Sequence, residues 1–326
     1  MTTFVGTPGI SNSYSPIADF SPQDITGAEL NDFLTGGPVN DIIRGLAGSD
    51  RLSGFTGDDI LYGGDGDDRP ADANSDNGPL LRGGLGDDTY YGGAGNDKLT
   101  ETFAGGFDDG GNDLMFGDDG NDIISGGSGQ DRIYGGTGND SILGDGGFTL
   151  TANDVIYGGA GDDDISGDGS FTDAGGADQI FGDDGNDKLF GGAGNDLLNG
   201  GAGNDRLVGD QGKDRMTGGA GKDVFGYFST KVDLTKSAAN RDTITDFQHK
   251  VDKIDLSTVD EFGFKPTFHH WKFIGAGAFT GVKDQLHYVQ KGGHTYVEGD
   301  TTGDHRADFS IDLLHKIALT KGDFVL

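Results

Sequence analysis

Between residues 191 and 210 the chain reads GGAGNDLLNGGAGNDRLVGD, and its large inward-facing candidates, Leu198 and Leu207, stand nine residues apart. Neither the 3.6-residue spacing of a helix nor a sustained two-residue alternation organises such a stretch, so the periodicity itself is the signal. The pattern G-G-x-G-x-D-x-U-x, with U a large apolar residue, can be laid down nineteen times from Gly27 to Gly226, its glycines imperfect in the earliest copies. Position six falls on Asp32, Asp41, Asp50, Asp59, Asp68, Asp88, Asp97, Asp113, Asp122, Asp131, Asp140, Asp154, Asp163, Asp178, Asp187, Asp196, Asp205, Asp214 and Asp223, aspartate every time. Position eight is mostly Ile, Leu, Met or Phe, as at Leu61, Ile124, Ile133, Ile142 and Leu189.

Each copy predicts one unit of structure. Glycines at positions one, two and four, such as Gly192, Gly194, Gly201 and Gly203, permit positive φ and leave backbone carbonyls unobstructed, so six residues can close a tight turn. The remaining three, such as Leu197-Leu198-Asn199, form a short strand with its middle side chain inward. Three residues are too few for an independent strand. Stacked on its own copies, each becomes one rung of a parallel sheet.

Four interruptions break the period, at residues 72–82, 101–107, 144–152 and 167–177. Pro70 suits an inward strand position badly, and Leu80-Leu81-Arg82 is the alternative strand for that copy. The last three interruptions open even-numbered turns, which places them on one edge. They carry Phe103, Phe107, Phe148 and Phe171, a candidate partner surface whose plainer reading is that each Phe covers its own loop.

After Gly226 the glycine density falls and DTITDF, DKIDLS, WKFIG, QLHYVQ, HTYVEGD and ADFSIDL read as strands between turns. These segments predict a compact antiparallel β cap over 227–326, continuing the repeats over 27–226 and covering their end. Residues 1–26 are an N-terminal cap or linker.

Composition narrows the chemistry. Only 33% of the 326 residues are hydrophobic, and 55 carboxylates against 23 Lys and Arg give a formal charge of -32. A compact chain of that charge repels itself unless cations are bound into it, and nucleic acid is excluded as a natural partner. With no cysteine there is neither a disulfide nor a thiolate zinc site. A hard, oxygen-seeking cation remains, calcium foremost. Stacked turns bring two sixth-position carboxylates together, which is costly unless a divalent ion lies between them.

The nonapeptide resembles the calcium-binding repeat of RTX proteins, and RDTITDFQHKVDKIDLS, FIGAGAF and GDTTGDHRADFSIDL resemble the C-terminal domain of serralysin-type secreted metalloproteases. The resemblance implies an all-β fold, a right-handed parallel β-roll with two nonads per coil and an antiparallel β C-terminal cap. It implies multiple Ca2+ ions, each bound by sixth-position side chains of two stacked turns, from Asp41 to Asp223, and by backbone carbonyls of both. It also implies export by a type I (ABC transporter) apparatus, to which the terminal Asp323-Phe324-Val325-Leu326 is similar as a signal, and a secreted, extracellular or cell-surface location. MTTFVGTPGISNSY lacks the pattern of a cleaved signal peptide, and no apolar stretch reaches membrane-span length.

The chain departs from serralysins in containing no H-E-x-x-H, so their protease activity is not carried over; G-x-S-x-G is absent too. Its seven histidines lie at 249, 269, 270, 287, 294, 305 and 315; a zinc site on His269 and His270 competes with scattered solvent and sheet histidines. Asp300-Thr301-Thr302-Gly303-Asp304 with Asp308 reads as a further calcium loop or as a hairpin turn. Functionally, a secreted calcium-binding protein in a binding, matrix or adhesion role leads. The alternatives are an enzyme using the inserted loops or C-terminal histidines, and a calcium-dependent module for a polysaccharide or cell-surface ligand.

Overall fold

The structure is a computed structural model, and it describes residues 2–7, 13–14, 21–68, 80–101, 111–146, 152–169, 175–227, 241–257 and 270–326. The chain divides into two compact units, Met1–Ser170 and Phe171–Leu326.

In the first unit consecutive strands alternate between two parallel sheets, so that two repeats make one coil. One sheet contains Gln23–Thr26, Ile42–Ala47, Ile60–Asp65, Thr89–Ala94, Leu114–Asp119, Arg132–Thr137 and Val155–Ala160. The other contains Phe33–Thr35, Arg51–Thr56, Leu80–Leu85, Lys98–Thr100, Ile123–Gly127, Ser141–Asp145 and Asp164–Asp168. Position eight points inward throughout, because successive strand residues alternate between faces. Registration stacks these residues into two buried columns. One runs Ile25, Ile43, Leu61, Tyr90, Met115, Ile133, Ile156, and the other Leu34, Leu52, Leu81, Leu99, Ile124, Ile142, Ile165.

Leu81 pairs with Leu52, so Leu80-Leu81-Arg82 is the strand of the interrupted copy. Pro70 lies outside the described residues, as do Phe103, Phe107, Phe148, Phe171 and His269.

The second unit begins with the same parallel coils and then changes. Ile180, Leu198, Met216, Ile244 and Leu313 form one inward column, and Leu189, Leu207, Phe225, Ile254 and Phe324 the other. Thr243–Ile244 and Lys253–Asp255 pair in parallel with repeat strands, so coiling continues beyond Gly226. The antiparallel part consists of Gln285–Lys291, His294–Asp300 and Phe309–Leu313. Phe309–Leu313 joins this meander to the last coil by parallel pairing with Thr243–Ile244. Trp271 packs edge-on to Phe309 at 5.4 Å, closing the apolar end.

Candidate metal centres along the turns

The sixth-position aspartates form ladders. Backbone N–H groups at this position donate to the Oδ1 of the aspartate one coil further on, as from Asp32 to Asp50 at 2.7 Å and from Asp50 to Asp68 at 2.6 Å. That ladder continues through Asp97, Asp122, Asp140 and Asp163. Its counterpart on the other edge of the first unit runs Asp41, Asp59, Asp88, Asp113, Asp131, Asp154. Asp113 and Asp154, which follow two of the interruptions, share this ladder, while most residues of the inserted loops lie outside the described residues. In the second unit the ladders are Asp178, Asp196, Asp214 and Asp187, Asp205, Asp223. All nineteen aspartates are buried.

Oδ1 is thus occupied by a neighbour's N–H, while Oδ2 has a different environment. The buried Oδ2 atoms of Asp50, Asp59, Asp68, Asp122, Asp131, Asp140, Asp205 and Asp223 accept no hydrogen bond. Glycine geometry shows what they face. A Cβ on Gly45 would stand closer than 3.0 Å both to Asp50 Oδ2 and to the carbonyl oxygen of Gly63 in the next coil. The same pair of oxygens meets at Gly117, from Asp122 and Gly135, and at Gly200, from Asp205 and Gly218. Carboxylate and carbonyl oxygens converge on a small volume that only a missing side chain leaves open, a donor set that suits calcium.

This changes the role of the first glycine. Positions two and four hold the positive φ angles, 101° at Gly192, 154° at Gly194, 104° at Gly201 and 150° at Gly203. Position one is not left-handed; there glycine is required for space, not for backbone freedom. Position two also holds non-glycine residues at positive φ, the short polar Asp118, Asp183 and Asp210 and the bulkier Leu46 and Phe55, where the left-handed backbone carries strain.

Burial without a cation raises the carboxyl pKa. It pushes Asp59 and Asp131 up to about 9, Asp68 and Asp122 to about 8, and Asp50 to about 7, with neighbouring aspartates adding to the rise and the backbone N–H bond opposing it. Each ladder is unfavourable as a row of bare ions.

The structure also adds residues. Asp214 N–H donates to Asp242 Oδ1 at 2.9 Å and Asp223 N–H to Asp252 Oδ1 at 3.2 Å, so both ladders of the second unit run one step past the last full nonad. The signal was present as D-x-U in Asp242-Thr243-Ile244 and Asp252-Lys253-Ile254, without the glycine turn before it. Asp246 accepts from Gly218 and Gly219 at 2.9 and 2.8 Å. Glu101 Oε2 accepts from Gly84 at 3.1 Å, and ligand atoms of Asp88, Glu101 and Asp113 lie within 4.8 Å of one another. There Tyr90 replaces the usual aliphatic and its hydroxyl accepts from Gly83 at 2.5 Å.

Asp300, Asp304 and Asp308 stand in a hairpin joining antiparallel strands. Asp300 accepts from Gly303 and His305, and Asp308 from Thr301 and Thr302, so these carboxylates close the turn. The histidines are dispersed. His249 bonds Asp323, His287 bonds Glu298, His294 bonds Asp312, and His270 is exposed. Among the described residues no histidine joins a cluster of three metal-ligating groups. No helix of the described residues is long and apolar enough to cross a membrane.

The chain belongs to the family of peptidase M10 serralysin C-terminal domains, which matches residues 57–326. RTX calcium-binding nonapeptide repeats match residues 35–70 in four copies, so calcium is the ion associated with these repeats. A comparison with curated proteins finds no match. Among solved structures, the R3 subunit of the Azotobacter vinelandii mannuronan C5-epimerase is 25% identical over 54% of this chain and 78% of that one, with a TM-score of 0.33. The R2 subunit of that epimerase is 28% identical over 52% of this chain and 90% of that one, with a TM-score of 0.26.

Proposed function

We propose that this protein is exported unfolded by a type I apparatus and folds on calcium outside the cell, where it serves as a non-catalytic binding, matrix or adhesion module. The observation that supports this reading is the ladder of buried Oδ2 atoms, which at Asp50, Asp59, Asp68, Asp122, Asp131, Asp140 and Asp205 face a carbonyl across a space that a Cβ would fill. Several calcium ions lie along each edge, held by the Oδ2 atoms of the sixth-position aspartates and the carbonyls of first-position glycines. Asp242 and Asp252 extend the binding edges of the second unit one step past its last full nonad. Where calcium is scarce the like-charged turns oppose coiling, and where it is plentiful its binding energy becomes folding energy.

The terminal segment fits this role. Asp323 is buried and accepts from Thr320 and Lys250, and Phe324 pairs in register with Ile254. Asp323 and Phe324 are thus buried in the last coil, while Val325 is exposed. Circular dichroism tests the reading: the β signal is expected in millimolar calcium and its loss in excess chelator. An unchanged spectrum in chelator refutes calcium-driven folding, and export that survives removal of residues 323–326 refutes the role of the terminus.

A further inference from the structure

The outer face of one sheet in the first unit carries a column of rings at position nine of successive coils. Tyr62, Tyr91, Phe116, Tyr134 and Tyr157 stack with centroids 4.8, 5.1, 5.0 and 5.0 Å apart and interplanar angles of 4° to 7°. Stacking stabilises such a column, but coil stability does not require it. The opposite sheet of the same unit keeps its register with Ser53, Thr100, Ser125, Leu143 and Ser166 at the same position. The stacked column is confined to one sheet, although Phe33 is exposed on the other.

Carboxylates are scarce at the outward strand positions of both sheets of this unit. At the two outward positions flanking the buried column, the strands from Ile42 to Tyr157 contain no carboxylate, in a chain with 55 of them. The charges there are two arginines. Arg44 lies 5.5 Å from the Tyr62 ring and pairs with Asp24 of the preceding strand, and Arg132 lies 5.5 and 5.8 Å from the rings of Tyr134 and Tyr157. Exposed Asp65 and Asp119 border the column at the strand ends. The face thus offers hydroxyl, guanidinium and carboxylate groups around an apolar strip, donors and acceptors together.

Shape selects the occupant. Six strands at about 4.8 Å spacing give a strip about 24 Å long and one or two side chains wide, roughly 250 Å². A stable protein partner, including a second copy, needs about 800 Å² per side. Each ring covers its neighbour's face, so only ring edges and phenol oxygens are offered, repeated once per coil. A ligand with the same repeat meets them all. An extended, equatorially 1,4-linked pyranose chain advances by about one strand spacing per sugar, presents apolar CH groups and hydroxyls in alternation, and is uncharged where Asp65 and Asp119 would repel a polyanion.

We infer that this aromatic column is a binding strip for a neutral, extended 1,4-linked polysaccharide lying along the coil axis. It deepens the extracellular binding role and rests on that reading for location only; the strip itself requires folded coils, whatever folds them. The probe is affinity electrophoresis in gels containing β-1,4-glucomannan, with dextran gels as control, under the calcium condition that gives the β spectrum. Full-length protein is expected to be retarded by glucomannan and not by dextran. Tyr91→Ser/Tyr134→Ser, which installs the residue type borne by the opposite sheet, is expected to weaken retardation at least tenfold with the circular dichroism unchanged. Full-length folded protein that migrates freely in glucomannan overturns the inference. So does equal retardation of the double variant, or a column-dependent dimer or vesicle association in place of glycan binding. Failure of calcium-driven folding is read from the spectrum alone, separately from retardation.

Discussion

Gly45 shows how a single hydrogen atom in place of a side chain can govern a binding edge. Its φ is not in the left-handed region, so Gly45→Ala carries no backbone penalty of that kind. The added methyl would instead collide with Asp50 Oδ2 and the Gly63 carbonyl. Overpacking of this sort costs about 1–3 kcal/mol, and here it also fills the space assigned to the cation. The calcium midpoint for folding is expected to rise about tenfold in Gly45→Ala. Ile42→Ala, a half-buried change on the outer face, is expected to shift it far less; equal shifts in a calcium titration followed by circular dichroism would show that the space is not a cation seat. Spacing alone revealed the nineteen aspartates, but it could not separate the two uses of glycine. Positions one and two are the same letter in most copies, and only the stacking of the next coil distinguishes room for oxygen from freedom of φ.

At the scale of the coil, the inward columns were legible because one large apolar residue per nine is enough to fill a rung. Asp242 and Asp252 were not, since the turns leading to them have lost the glycines that defined the period, although their carboxylates continue the same ladders. The structure therefore makes the last coil dependent on residues outside the nineteen repeats. Asp242→Asn retains an acceptor for the Asp214 N–H while removing the charge, so it is expected to weaken calcium-dependent protection of Thr243 and Ile244 in hydrogen exchange by about tenfold, with little effect on the first unit. Uniform loss across both units would argue for one cooperative block.

The hairpin beside that coil has its own titration. His287 is buried, with Nδ1 2.7 Å from the Gly277 carbonyl and Nε2 3.0 Å from Glu298. Burial alone would lower its pKa, but these two acceptors outweigh it and the net shift is upward. A base with a raised folded pKa contributes stability that is complete below its unfolded value near 6.5 and is lost as pH rises through the folded value. His287→Gln is therefore expected to destabilise the cap below pH 6 and to converge on the parent as pH rises through the folded value in calcium-saturated protein. A difference that grows with pH would contradict this assignment.

For the whole molecule, the charge of -32 and the buried ladders determine how folding responds to pH, and the response changes sign with calcium. In ion-free protein the carboxyls of Asp59, Asp68, Asp122 and Asp131 titrate at about 8 to 9 when folded and near 4 when unfolded. The folded chain then holds more protons than the unfolded one across that interval, so stability is present at pH 4 and is lost as pH rises toward 9. With calcium the relation inverts, because the ion competes with protons for the same oxygens and binds best when they are ionised. Chelated protein moved from pH 8 to pH 5 is expected to recover part of its β signal, whereas calcium-loaded protein over the same interval is expected to require more calcium for half-folding. Both are read from one set of calcium titrations at several pH values. A chelated chain that is equally unfolded at pH 5 and pH 8 would mean that carboxylate repulsion is not what keeps it open, and the self-repelling turns would lose their place in the folding mechanism.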